Sequence, residues 1–293
     1  MSEHMVKGNG LEIWTEDFGN PSDPAVLLVM GASAQGIFWP EEFCEQIVAA
    51  GRHVIRFDNR DTGQTTCFDF ASDPYTVADM ALDAVGVLDA YDIERAHVVG
   101  ASMGGMICQT LAIDHPERVI SLTSIMSSPS GGSVAQAMQG DEAEDALPPP
   151  TKEVIEAGMA SVLKPATNRE ERIEQRLHMF GILAGSLAPY DEAAGRALFE
   201  REHDRARNWD AQNNHGLAVG ASPDRRSSLG SVKLPALVIH GTEDPILPYE
   251  HGVATAKAIP GCELVTIEKM GHDMPAAAWP RIIGAIVEHT GGR

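Results

Sequence analysis

The sequence predicts an α/β protein: a mainly parallel sheet with helices on both faces, interrupted late in the chain by an all-helical insert. Three observations carry this expectation. Over roughly the first 127 residues, short apolar runs ended by turn residues alternate with segments of helical periodicity. The alternation then stops near Ser127 and only helical patterns follow. Strand-like runs return at Ala236. Strands alternating with helices imply crossover connections, and crossovers join parallel strands buried on both sides.

Leu11 to Phe18 (LEIWTEDF) alternates like a half-exposed strand, whereas AVLLVMG (Ala25 to Gly31) is continuously apolar, as a strand buried on both faces would be. Trp39 to Gly51 repeats apolar residues at helical spacing and stops at a glycine. HVIRFD (His53 to Asp58) reads as strand again. A helix-like VADMALDAVGVLDAY, a strand AHVVG, a helix MGGMICQTLAIDH and a strand VISLTSIM complete the first part. The stretch 127–150 is rich in small residues, acids and proline and reads as a loop leaving the main body; the part spanning 131–145 suits a mobile loop that admits substrate. From Thr151 to about Gly220 the patterns are helical only. ALVIHG (Ala236 to Gly241), a helix from Tyr249 to Ile259, a strand ELVTIEKMG and a helix from Trp279 to His289 close the chain. The expected division is a core of residues 1–127 and 231–293 carrying a helical cap of residues 128–230.

With 43% apolar residues the chain can build a core, and no stretch approaches the roughly 20 apolar residues of a membrane span. MSEHMVKGNG is no charged-then-apolar leader, and Cys44, Cys67, Cys108 and Cys262 are scattered without CxxC spacing; both point to a reduced cytoplasm. A formal net charge of -20 argues against nucleic acid or an anionic membrane as partner. Oligomeric state is left open.

One motif carries chemistry. Gly100-Ala101-Ser102-Met103-Gly104 satisfies G-x-S-x-G between a buried strand and a helix, the context that lifts a serine hydroxyl into the open at a strained turn. A serine needs a base beside it. Of the eleven histidines, His53 and His97 open strands at the opposite end of the sheet, His115 ends a helix, and His178, His203 and His215 fall in the insert. His272 follows strand ELVTIEKMG at the carboxyl edge, where open α/β sheets bind ligands. Asp244, just beyond strand ALVIHG, is the acid that would orient it; Glu243 beside it is the competitor, and the end of VISLTSIM carries no acid. The oxyanion donors expected are the backbone N–H groups of Met103 and Ala32. No metal, nucleotide or flavin motif is present, so no cofactor is expected.

These residues resemble the α/β-hydrolase superfamily with a helical cap, whose core sheet has eight strands. Besides GASMGG, HGTEDPILP and GMGH, the stretch FDNRDTGQT resembles the family's D-x-R-G-x-G-x-S turn, with Asp61 in place of the first glycine and Thr65 in place of the serine. Met30-Gly31 stands where many members have His-Gly. VMGASAQGIFWPEEF, HVIRFDNRDTG and HVVGASMGG are most similar to the aclacinomycin methylesterases, which the resemblance implies act on a carboxymethyl ester of a polyketide skeleton. The expectation is a serine esterase working through an acyl-enzyme on a small hydrophobic ester. Same-triad lactonases, C–C hydrolases and cofactor-free haloperoxidases or perhydrolases form the alternative, and a non-catalytic receptor a more distant one. Phe38 and Trp39, after the oxyanion loop, and Met159, Phe180 and Trp209, in the insert, are candidates to line the pocket.

Overall fold

The computed structural model describes residues 2–131 and 146–291; all but Gly131 of the loop expected to admit substrate lies outside them. Eight strands form one sheet in the order β1-β2-β4-β3-β5-β6-β7-β8. They are β1 (Ser2–Gly8), β2 (Leu11–Phe18), β3 (Ala25–Val29), β4 (His53–Phe57), β5 (Ala96–Ala101), β6 (Val119–Ile125), β7 (Ala236–Gly241) and β8 (Glu263–Ile267). From β4 to β8 every neighbouring pair is parallel; β2 joins β4, and β1 joins β2, in antiparallel fashion.

β1 has no counterpart among the strand-like runs of the sequence. It is an edge strand and largely exposed, so it lacks the apolar alternation that marks the others. Its turn, Asn9-Gly10, has both residues at positive φ (48° and 78°), the arrangement of a two-residue hairpin loop.

The central strands divide their side chains between two cores. Leu27, Val29, Ile55 and Val98 face α2 (Val77–Ala90) and α3 (Met103–Asp114). Val26, Leu28, Val54, Val99 and Ile239 face α1 (Glu41–Val48) and the last helix, α10 (Trp279–Gly291). A period of two therefore yields strands buried on both faces, as the continuous apolar runs require.

Between β6 and β7 the chain leaves the sheet and forms α4 (Lys152–Leu163), α5 (Arg169–Leu183), α6 (Glu192–Arg205), α7 (Asn214–Gly220) and α8 (Arg226–Leu229). Thr151, Asn168 and Asp191 cap the first three with side-chain oxygens. The outgoing and returning chain meet at a bridge between Ser130 and Asp224, where buried Arg225 donates its N–H to Pro129 O at 2.8 Å. α9 (Glu250–Ala258) lies between β7 and β8.

Candidate active site

Three residues distant in sequence meet at the carboxyl edge of the sheet. Ser102 directly follows β5, Asp244 lies just past β7 and His272 just past β8. His272 Nε2 is 3.0 Å from Ser102 Oγ, and its Nδ1 is 2.7 Å from Asp244 Oδ2. With Nδ1–H donating to the carboxylate, Nε2 is free to accept the serine proton. Asp244 is buried, and its other oxygen accepts the N–H groups of Ile246 (3.0 Å) and Leu247 (2.8 Å). Burial alone would raise its pKa. The charge of His272 and the hydrogen bonds from His240 and His272 outweigh burial and hold the carboxyl well below the usual carboxylate range. Exposed Glu243 points elsewhere and accepts the N–H and hydroxyl of Ser186 at 2.7 and 2.9 Å.

The glycines around Ser102 answer a problem of space. Ser102 itself sits at φ 55°, ψ -122°, a conformation costly for any residue with a side chain, of order 1–3 kcal/mol. The strand and helix it joins pass so close that a Cβ on Gly100 would lie 2.1 Å from Gly104 O, and one on Gly104 would lie 2.0 Å from Val29 O. Ser127 Oγ donates to Ser102 O at 2.7 Å and steadies the turn from β6. Met103 is the first residue of α3, so its N–H has no acceptor within the helix. The loop after β3 runs beside the serine: a Cβ on Gly31 would be 3.0 Å from Ser102 Cβ. Ala32 follows directly.

The departures from the D-x-R-G-x-G-x-S pattern have visible compensations. Asp61 adopts φ 66°, the left-handed conformation a glycine would take, and its carboxylate accepts Phe68 N–H (2.6 Å) and Tyr75 O–H (2.6 Å). Thr65 Oγ1 donates to Asp58 O (2.8 Å) and accepts Trp14 N–H (3.0 Å). Asp58 accepts Gly36 N–H at 2.7 Å and pairs with Arg205 of α6 at 3.0 Å; burial is the main influence on its pKa and raises it.

The pocket candidates separate. Trp39 is 0% exposed and packs against Phe43 of α1 in the core. Met159 is 54% exposed, on the side of α4 opposite buried Val154 and Ala157. Phe38 and Phe180 pack on each other and on Phe199. Trp209 is half-buried against His203 and Arg172.

Sequence reasoning missed a group of residues that hold the loop after β3. Ser33 N–H donates to His215 Nδ1 (3.0 Å), its hydroxyl to Gln212 O (2.9 Å), and its carbonyl accepts from Arg176 Nη2 (2.9 Å). These partners lie in the helical segment, more than 140 residues along the chain, so no local pattern marks them. Among the described residues no helix is long and apolar enough to cross a membrane.

A sequence model of the alpha/beta hydrolase fold matches residues 24–275. Rhodomycin D methylesterase DauP of Streptomyces sp. (strain C5) is 35% identical over 300 residues, covering 99% of this chain and 98% of that protein. Rhodomycin D methylesterase DnrP of Streptomyces peucetius matches at the same identity and coverage. The esterase EaEST from Exiguobacterium antarcticum shares the fold, with a TM-score of 0.79 at 20% identity and 98% of each chain covered. The strand order, the serine turn after β5 and the near full-length match to the two methylesterases agree, and the chain belongs to the α/β-hydrolase family.

Proposed function

We propose that this chain is a serine esterase that removes the methyl group from a carboxymethyl ester on a hydrophobic, polyketide-like acid. The observation that carries the chemistry is His272 spanning Ser102 and Asp244 at 3.0 and 2.7 Å. Similarity to the two rhodomycin D methylesterases over 99% of the chain supports the methyl ester.

Ser102 Oγ attacks the ester carbonyl as His272 Nε2 takes its proton, while Asp244 stabilises the imidazolium through Nδ1–H. The backbone amides of Ala32 and Met103 receive the oxyanion, with the positive end of α3 behind it. His272 then protonates the departing methoxide, which leaves as methanol. Water, deprotonated by the same imidazole, attacks the acyl-enzyme and the acid is released with Ser102 restored. Residues 128–230 act as the cap over this site, with Phe38, Phe180 and Trp209 toward the substrate side. The four cysteines are free, which suits a reduced cytoplasm.

Release of p-nitrophenol from short-chain p-nitrophenyl esters tests the chemistry. Wild type turns over and folded Ser102→Ala does not; equal rates overturn the serine mechanism. Methanol release from a panel of aromatic polyketide methyl esters then tests the substrate class, and turnover confined to other alkyl esters or lactones overturns it.

A further inference from the structure

The left-handed residue next to Ala32 is not a glycine. Ser33 sits at φ 56°, and its N–H, hydroxyl and carbonyl are all bonded to the cap, to His215, Gln212 and Arg176. His215 is fully buried and donates Nε2–H to Arg60 O at 2.7 Å, so its Nδ1 is the acceptor that Ser33 needs. Arg176 is held as firmly. Its guanidinium forms two bonds with Glu202, at 2.7 and 3.2 Å, and lies 5.1–5.4 Å from the ring centres of Phe38, Phe180 and Phe199. Glu202 is 0% exposed.

The same helix holds the other side of the site. Its last residue, Leu183, accepts the main-chain N–H of His272 at 2.7 Å, and just beyond it Leu187 N–H donates to Lys269 O at 2.8 Å. Gly185 and Gly271 meet so closely that a Cβ on either would lie 2.3 Å from the other's nitrogen. Arg176 and Leu183 are separated by about 10 Å of helix at 1.5 Å per residue. One rigid element therefore touches both the loop that carries Ala32 and the loop that carries His272.

We propose that α5 is a brace that sets the spacing of the oxyanion amide and the catalytic base, and that Arg176 is its positioning residue, acting through Ser33 on Ala32. This rests on the reading of Ser102 as nucleophile and Ala32 as oxyanion donor. Arg176 does not touch the reacting atoms in this arrangement; it fixes where the Ala32 N–H points. Such aim matters only when the carbonyl oxygen acquires charge, so its loss appears in kcat and not in ground-state binding.

The test uses p-nitrophenyl acetate and a short alkylboronic acid, which forms a tetrahedral anionic adduct on the serine. Removing Arg176 alone would strand the buried Glu202 charge, so the main variant is the double substitution Arg176→Met with Glu202→Gln. Arg176→Lys, which keeps the charge and loses the fork, covers the case in which the double variant does not fold. Arg169→Ala breaks the exposed pair of α5 with Asp204 and controls for loosening of the cap. The expected result is a fall in kcat of about tenfold to a hundredfold, less than complete loss of an oxyanion donor. KM stays within about twofold, boronate affinity falls in parallel with kcat, and Arg169→Ala behaves as wild type. Unchanged kcat and boronate affinity in the folded Arg176 variants overturn the brace, as does an equal loss in Arg169→Ala. Turnover surviving in Ser102→Ala instead overturns the serine reading itself, so the two failures are distinct.

Discussion

His272 takes its side-chain partners, Ser102 and Asp244, from the ends of β5 and β7, while its main-chain N–H donates to Leu183 O at the end of α5. His272 and α5 are thus joined through the backbone of the histidine, which leaves its imidazole to Ser102 and Asp244.

Asp244 and Glu243 make a direct comparison. Asp244→Asn keeps a carbonyl oxygen for the Ile246 and Leu247 amides but removes the charge facing His272. We expect kcat to fall about 10⁴-fold with the fold retained, the scale seen when an imidazole loses its orienting carboxylate. Glu243→Gln, whose parent carboxylate accepts from Ser186 and does not face His272, should remain within about twofold. Steady-state rates on one p-nitrophenyl ester measure both, and the reverse ranking would assign the acid to Glu243.

Gly104→Ala should be among the most damaging single-methyl additions in the chain. The new Cβ would lie 2.0 Å from Val29 O, main chain of a central strand that has nowhere to move. A loss above about 3 kcal/mol by urea unfolding, or no soluble protein, is expected.

Ser127→Ala removes the hydroxyl that donates to Ser102 O while leaving Asp244 and His272 untouched. The expected cost is about 1 kcal/mol of stability, with kcat lowered several-fold as the strained turn relaxes. Chemical unfolding and turnover on the same preparation check both parts.

Acid should weaken the fold before it protonates most carboxylates. His97, His215, His251 and His289 all have pKa values lowered chiefly by burial, His97 to about 4. A histidine whose folded pKa lies below its unfolded value stabilises the fold above about pH 6.5, and that contribution is lost as pH falls toward the folded value. Replacing His97 by Asn should flatten the stability profile between about pH 6.5 and 4.5. Urea midpoints across that window give the answer; an unchanged slope would place the titration elsewhere.

Much of the candidate site was legible because it follows from strand ends. Ser102, Asp244 and His272 each stand just past a readable apolar strand, and the geometry of a parallel sheet brings such positions to one edge. β1 was not legible from periodicity, because an exposed edge strand has no buried face to record; the Asn-Gly pair at 9–10 is the one local signal that could have found it. Hydrophobicity did not separate Trp39, sealed in the core, from Phe38, which packs on Phe180 of α5. Arg176 and His215 were invisible for another reason. Their importance comes from Ser33, and a contact across so many residues leaves no trace in local composition.

The bonding of Ser33 also limits how such a protein can be recombined. Exchanging the helices between β6 and β7 for ones that lack these partners would leave three polar groups of half-buried Ser33 without their bonds, each worth about 1 kcal/mol. The insert is therefore not an interchangeable part. A chimera that keeps this core needs either the arginine, the histidine and the Gln212 backbone in register, or a different residue at position 33, and any exchange of these helices must carry that small piece of the core with it.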